Sequence, residues 1–218
     1  MRATMCFCWI FIFLPQVAFG EANICDRVAR LAATEIGVPL DVLMSLTRTE
    51  TGRLRDGQLQ PWPWTVNMEG QGHWFANKEA AQSFVFRQFK TGARNFDVGC
   101  FQLNYRWHGD AFSSIEAMFD PRENAIYAAK FLLSQKSSTS TWLEAAGAYH
   151  SKTPQYAKAY KNRFLEVHST TREHQTISPI PANGNPSPLL PNTNERGRLG
   201  SLVSLSESLA KPLFVNGG

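Results

Sequence analysis

At 218 residues with 43% hydrophobic content, the chain is long enough to bury one substantial core and short for two. Its formal charge of +4, from 22 basic and 18 acidic residues, is mild, and no run of five or six lysines or arginines occurs. A nucleic-acid ligand is therefore not implied, whereas a modest positive excess suits a polymer that carries carboxylates.

The first twenty residues read as a secretory signal. Arg2 supplies a basic start, Met5 to Leu14 an apolar run, and Ala18-Phe19-Gly20 a small-residue cleavage site before Glu21. The apolar run is far shorter than the roughly 20 residues a membrane span needs. The expectation is an exported, periplasmic chain with no stable span after cleavage. Cys6 and Cys8 leave with such a signal, so Cys25 and Cys100 remain. A lone pair in an exported protein reads as a disulfide; closing that loop is worth about 4 kcal/mol in the chain-entropy model. Two buried thiols are the alternative. Neither cysteine lies in a CxxC or Cys/His cluster of the kind that binds metal.

Ile24, Val28, Leu31, Ala32 and Ile36 recur at helical spacing, predicting a helix over Asn23 to Ile36 that stops at Gly37. Pro39 suits the first turn of a second helix running to about Thr49, with Gly52 past its end, which puts Glu50 in the last turn of a largely apolar helix. In the segment Gln60 to Asn67 two prolines forbid helix, and its aromatic and β-branched residues favour extended chain. A short hairpin ending near Trp74 and Phe75 is expected. Asn77 caps a helix over Lys78 to Lys90, closed by Gly92. Phe96 to Trp107 is mixed and turns into helix. Asp120-Pro121 opens a helix with Ala125, Ala128, Ala129, Leu132 and Leu133 inward, and two more follow, Trp142 to Tyr149 and Pro154 to about Val167.

From Ser169 to Asn194 there are five prolines among serine, threonine and asparagine, with too few large apolar groups to offset the entropy of ordering. Residues 169–218 are therefore read as a flexible linker and tail. Leu199 to Val215 regains leucine and valine, enough for a short helix, a partner-binding segment or a strap on the domain.

Four separated motifs carry the chemistry. They are Leu43-Met44-Ser45-Leu46-Thr47-Arg48-Thr49-Glu50-Thr51-Gly52, Gly99-Cys100-Phe101-Gln102-Leu103-Asn104, Ala148-Tyr149-His150, and Tyr156. In this order, and over roughly Ala22 to His168, the sequence resembles the SLT-type lytic transglycosylases, particularly small exported members. The resemblance implies an α+β, predominantly α, lysozyme-like domain over 21–168 with a small β-hairpin region. It also implies that Glu50 is catalytic and that Thr51, Gly99, Phe101, Gln102, Asn104, Tyr149 and Tyr156 contact substrate. Cys100 and Phe101 stand where the family has Leu-Met, and His150 where it has Asn; both departures fall beside the groove and leave the acid in place. The insertion between Glu50 and Gly99 is longer than in compact members. Its Trp62, Trp64 and Trp74 either stack on sugar or pack in the core.

A glycosidic oxygen leaves only when protonated, so cleavage near neutral pH needs a carboxylic acid whose pKa is raised by burial. Most glycosidases add a second carboxylate. No second acid stands in a matching motif, and Glu69 and Asp97 are candidates by proximity alone. The resemblance implies that Glu50 serves twice: it protonates the bridging oxygen, the substrate's N-acetyl group assists, and Glu50 then takes the proton of the 6-hydroxyl. A 1,6-anhydromuramoyl end results, with no metal or organic cofactor and with a monomer acting on peptidoglycan glycan strands. A lysozyme-type hydrolase of the same bond is the nearest alternative. A noncatalytic wall-binding scaffold, and a protease pairing Cys25 or Cys100 with His108 or His150, are alternatives of other classes. The resemblance further implies a wall-opening role for a flagellar, secretion or conjugation apparatus, docked through the tail.

Overall fold

Helix α1 (Phe19–Ile36) turns Cys25, Val28, Ala29 and Ala32 inward at the spacing of one helical face. Gly37 releases the chain at φ +83°, and Pro39, extended, precedes α2 (Leu40–Thr51). Helix α2 is buried almost all round, from Val42 through Leu46. Leu43 and Leu46 are fully enclosed, each contributing about 1.5–3 kcal/mol of burial free energy. Its Ser45, Thr47, Thr49 and Thr51 survive burial because each hydroxyl bonds back to a main-chain carbonyl three or four residues earlier. Arg48 reaches Asp26 of α1 through both guanidinium nitrogens at 2.7 and 2.9 Å, fastening the two helices.

The computed structural model describes residues 19–177. Most of the expected signal segment, residues 1–18, and the tail from 178 onward lie outside the described residues. The described part is mixed α and β and predominantly helical. Two small sheets interrupt the helices after α2. Strands β1 (Arg53–Arg55) and β2 (Gln58–Gln60) form an antiparallel hairpin, joined at Asp56-Gly57 with both residues at positive φ. Strands β3 (Thr65–Met68), β4 (Gln71–Trp74), β5 (Phe96–Val98) and β6 (Leu103–Asn104) form an antiparallel sheet in the order β4-β3-β5-β6. The hairpin expected up to Trp74 is β3–β4. Its neighbour β1–β2 was not expected, although Asp-Gly is the strongest short signal for such a turn.

Helix α3 (Lys78–Lys90) begins where Asn77 accepts a hydrogen bond from Ala80 N, as its sequence predicts. After the sheet come α4 (Tyr105–His108), a 3₁₀ turn over Gly109–Ala111, and α5 (Ile115–Met118). Then come α6 (Pro121–Ser137), capped by Asp120, α7 (Trp142–His150) and α8 (Pro154–Ile177). Helix α2 is sandwiched between α1 and α8, and α7 lies between α6 and α8. Two expectations need correction. Leu133 is 40% exposed, because the inward stripe of α6 runs through Ala125, Ala128, Ala129 and Leu132 and leaves it on the flank. Helix α8 also continues past Val167 into the stretch read as linker. Buried Thr171 bonds to Val167 O, and His168 and Arg172 both reach Asp41 at the start of α2, which anchors the added turns.

Cys25 and Cys100 are joined by a disulfide that ties α1 to the turn between β5 and β6. It also removes the thiol that a Cys-His protease would need. Replacing both cysteines by serine is expected to cost about 2–4 kcal/mol of stability, measured by chemical denaturation against the oxidised parent. Equal stability of the two would show that the bridge does not constrain the unfolded chain.

Candidate active site

Glu50 occupies the last turn of α2, and Gly52 ends the helix by returning its N–H to Arg48 O at 3.0 Å. A side chain at position 52 would run into that carbonyl and into Leu59, so only glycine lets β2 close against the helix end. Glu50 itself is half-buried, reachable by a ligand while its carboxyl is largely stripped of water. Tyr160, on the buried face of α8 and 2% exposed, donates its hydroxyl to Glu50 Oε1 at 2.6 Å. One carboxyl oxygen is thereby occupied and the other is left to hold a proton. Burial drives the Glu50 pKa up to about 8 against the lowering pull of Tyr160; the negative charge of Asp97 raises it further, and Arg163 lowers it. Glu50 is mostly a neutral acid at pH 7.

The second carboxyl comes from β5. Asp97 is half-buried, and its pKa is raised to about 6 by burial, with hydrogen bonds from Asn104 and Asn67 holding it down. Asn67 Nδ2 donates to Oδ2 at 2.7 Å and Asn104 Nδ2 to Oδ1 at 2.8 Å. The register explains this grip, for Asn67 and Asn104 are the residues directly opposite Asp97 on β3 and β6. The coupling of the two acids has a clear order. Asp97 ionises first, beside a still neutral Glu50, and Glu50 then loses its proton into the field of the anion.

Around these acids three amide oxygens, Asn67 Oδ1, Asn104 Oδ1 and Gln102 Oε1, are buried and accept no hydrogen bond from the described residues. A buried acceptor left unmatched is costly, and these enclosed oxygens are places where a bound water would be held. Gln102 is fixed at a left-handed φ of +45°, its Nε2 donating to Gly99 O at 2.9 Å and Thr65 O at 3.1 Å.

The other expected contact residues build this surface rather than line it. Gly99, at φ +82°, lies so close to Asn124 that a Cβ would fall 2.7 Å from its amide nitrogen. Phe101 was expected to contact substrate, but its side chain is wholly in the core; its N–H goes to Asn124 Oδ1, and its carbonyl accepts the Tyr149 hydroxyl at 2.7 Å. Tyr149 is therefore a strut from α7 to the turn, its hydroxyl spent on the main chain. Thr51 is 1% exposed and accepts the Trp62 N–H at 3.1 Å, so it organises the helix end. Tyr156 is half-buried one turn before Tyr160, and Tyr160 is the residue that meets Glu50. Of the two proximity candidates, Asp97 joins the site and Glu69 lies exposed in the β3–β4 turn at φ +51°. Trp62 and Trp64 are core residues, 7% exposed, and Trp74 is partly buried with its indole N–H on Thr51 O at 3.4 Å.

His150 lies flat against Tyr160, the ring centroids 4.4 Å apart and the planes at 11°. Burial against that ring and the charge of Arg163 lower its pKa to about 4. The residue keeps an exposed edge, and its ring is neutral at pH 7 and adds no cation beside Glu50. A groove of about 370 Å³ lined by Pro39, Val42, Trp142, Leu143, Phe164 and His168 contains none of these groups. Chemistry, not cavity size, therefore locates the site.

Both raised carboxyls carry a stability cost. A folded pKa above the unfolded value favours the native state below about pH 4 and loses that advantage as pH rises through the folded value. Glu50→Gln is thus expected to raise the melting temperature more at pH 9 than at pH 5; an equal shift at both would deny the raised pKa. Tyr160→Phe removes a hydrogen bond that stabilises the anion, so the Glu50 titration, followed by carboxyl NMR, is expected to move above 8.

No family model, curated protein or solved structure matches this chain in the comparisons made with each.

Proposed function

We propose that the protein is a peptidoglycan lytic transglycosylase with a lysozyme-like domain, cleaving the β-1,4 bond between N-acetylmuramic acid and N-acetylglucosamine. The observation that carries the reading is Glu50: a reachable carboxyl kept protonated at neutral pH and oriented by Tyr160. Such a group can deliver a proton to a glycosidic oxygen and, once ionised, take one back. The motif order described above supplies the substrate and the anhydro product.

Asp97 supports a second reading, hydrolysis of the same bond. Its anion near Glu50 can stabilise the positive charge that develops at the anomeric carbon in either reaction. Each of its oxygens already accepts an asparagine amide, which suits a fixed counter-charge better than a base that activates water. Glu50 then remains the proton carrier, in keeping with the transglycosylase. Export to the periplasm, action as a monomer without cofactor, and service to a flagellar, secretion or conjugation machine belong to the same proposal.

Mass analysis of fragments released from purified sacculi separates the readings. Anhydro ends support the transglycosylase, reducing ends the hydrolase, and no release a noncatalytic scaffold. Glu50→Gln is expected to lower turnover by about 10²–10⁴; unchanged turnover would remove Glu50 from the mechanism. Catalysis needs Glu50 protonated and Asp97 ionised, so kcat/KM is expected to fall above about pH 8 and below about pH 6. Asp97→Asn should lower kcat/KM, abolish the acidic limb and move the alkaline limb to lower pH, because the charge that raises the Glu50 pKa is gone.

A further inference from the structure

The hairpin directly after Glu50 carries two arginines on one side. Arg53 and Arg55 alternate with Leu54, which is 56% exposed on the opposite side. The guanidinium of Arg53 lies 5.1 Å from the ring centroid of Trp74, and that of Arg55 4.7 Å from the ring centroid of Trp62. Both tryptophans are tied to the residue beside the acid: Trp74 donates its indole N–H to Thr51 O, and Trp62 its main-chain N–H to Thr51 Oγ1. The arginines are therefore linked to the end of α2 through two fixed aromatic rings.

A guanidinium stacked on an aromatic face is attracted through that face, and its in-plane N–H fork stays free for another partner. Neither arginine has a carboxylate within ion-pair distance among the described residues, Asp56 of the intervening turn included. Arg48, by contrast, is satisfied by Asp26. Two positive forks held on one short strand, unmatched among the described residues and linked to the end of α2, match the geometry of carboxylates.

We propose that Arg53 and Arg55 form a carboxylate-binding site on the β1–β2 hairpin that follows Glu50 and engage carboxylates carried by the glycan strand. This rests on the glycan-cleaving reading and adds to it a means of choosing substituted, acidic strands over neutral ones. The shared chemistry is the carboxylate, whether on a peptide substituent or on the lactyl ether of the sugar.

The test uses the full chain carrying Glu50→Gln, so that binding is read without cleavage, with and without R53Q/R55Q. Each protein is co-sedimented with intact sacculi and with sacculi whose carboxylates have been converted to amides, and its binding in solution is measured to the peptide-free glycan strands that an amidase releases. The arginine pair is expected to tighten binding to intact sacculi at least tenfold at low salt and to lose most of this advantage on amidated sacculi. Peptide-free strands carry the lactyl carboxylate that the amidase itself releases, so an advantage retained on them shows that the pair also takes a sugar carboxylate, and a lost one assigns the carboxylate to the peptide. R53K/R55K is expected to restore part of the affinity, because charge is kept and the fork is not. Equal binding of both proteins to intact sacculi, or an advantage that survives amidation, overturns the proposal. So does a lysine variant as weak as the glutamine variant with an equally lowered melting temperature, since the arginines would then only brace the tryptophans. Digestion of sacculi by the chain with Glu50 intact is scored separately, so that a failure of the catalytic reading is not mistaken for a failure of this one.

Discussion

The hydrogen bond between Tyr160 and Glu50 is the contact on which the rest of the arrangement depends, because it joins the end of one helix to the middle of another across a site that must stay poor in water. A carboxyl in such surroundings is driven to its neutral form, and a neutral carboxyl can turn or retreat toward solvent unless something holds it. Tyr160 holds one oxygen at 2.6 Å, and its own hydroxyl is buried so deeply that its pKa lies well above the usual value, which keeps it a donor. The contact requires α8 to lie against α2 in a fixed register. That register is secured by Phe164 in the core and, further along, by His168 and Arg172 on Asp41. The turns of α8 beyond Val167 thus support the acid from a distance, through the helix they steady.

The second half of the site follows from strand register. Asp97 sits between two asparagines because antiparallel pairing places Asn67 and Asn104 opposite it, and their amides limit the rise in its pKa. Holding the Asp97 anion also fixes which way each asparagine points. Both amide nitrogens are committed to the carboxylate, so both oxygens are left to something else. One acidic residue therefore sets the orientation of two others, and in the proposed reaction it also serves as a counter-charge. The disulfide from α1 to Cys100 and the Asn124 amide, bonded to Phe101 N–H and Val98 O, hold the turn between β5 and β6 that carries Gln102.

The helices were legible in the sequence because their signals are local. Asn77, Asp120 and Thr141 cap the helices that follow them, and the apolar spacing of α1 and the proline before α2 act within a turn or two. The position of Glu50 in its last turn followed from the same kind of signal. What the sequence concealed depends on pairing across distance. Asp97 looks like any strand acid until register sets it between two asparagines, and Tyr160 and Tyr156 cannot be told apart until the packing of α8 turns one of them toward α2. The buried roles of Phe101 and Tyr149 were likewise hidden, since a motif preserves a residue for holding a turn as readily as for touching a ligand. The continuation of α8 was missed because composition after Ser169 speaks for an isolated chain, whereas in the fold Thr171 is buried and His168 and Arg172 reach Asp41 of α2.

Charge near the acid is controlled as closely as burial. Arg163 is the cation that lowers the Glu50 pKa, and the side chain stacked on Tyr160 could have been a second; it is a histidine kept neutral at pH 7. A protonated imidazole there would favour the Glu50 anion and deprive the site of its proton donor near neutral pH. The positive charge of the region is placed instead on the β1–β2 hairpin, where Arg53 and Arg55 rest on tryptophan faces. On the proposed function, charges on that hairpin can attract an acidic strand, while solvent around them weakens their effect on Glu50. The separation would then answer a conflict in cleaving an anionic polymer with a neutral acid: cations that gather the substrate would disarm the acid if they stood beside it.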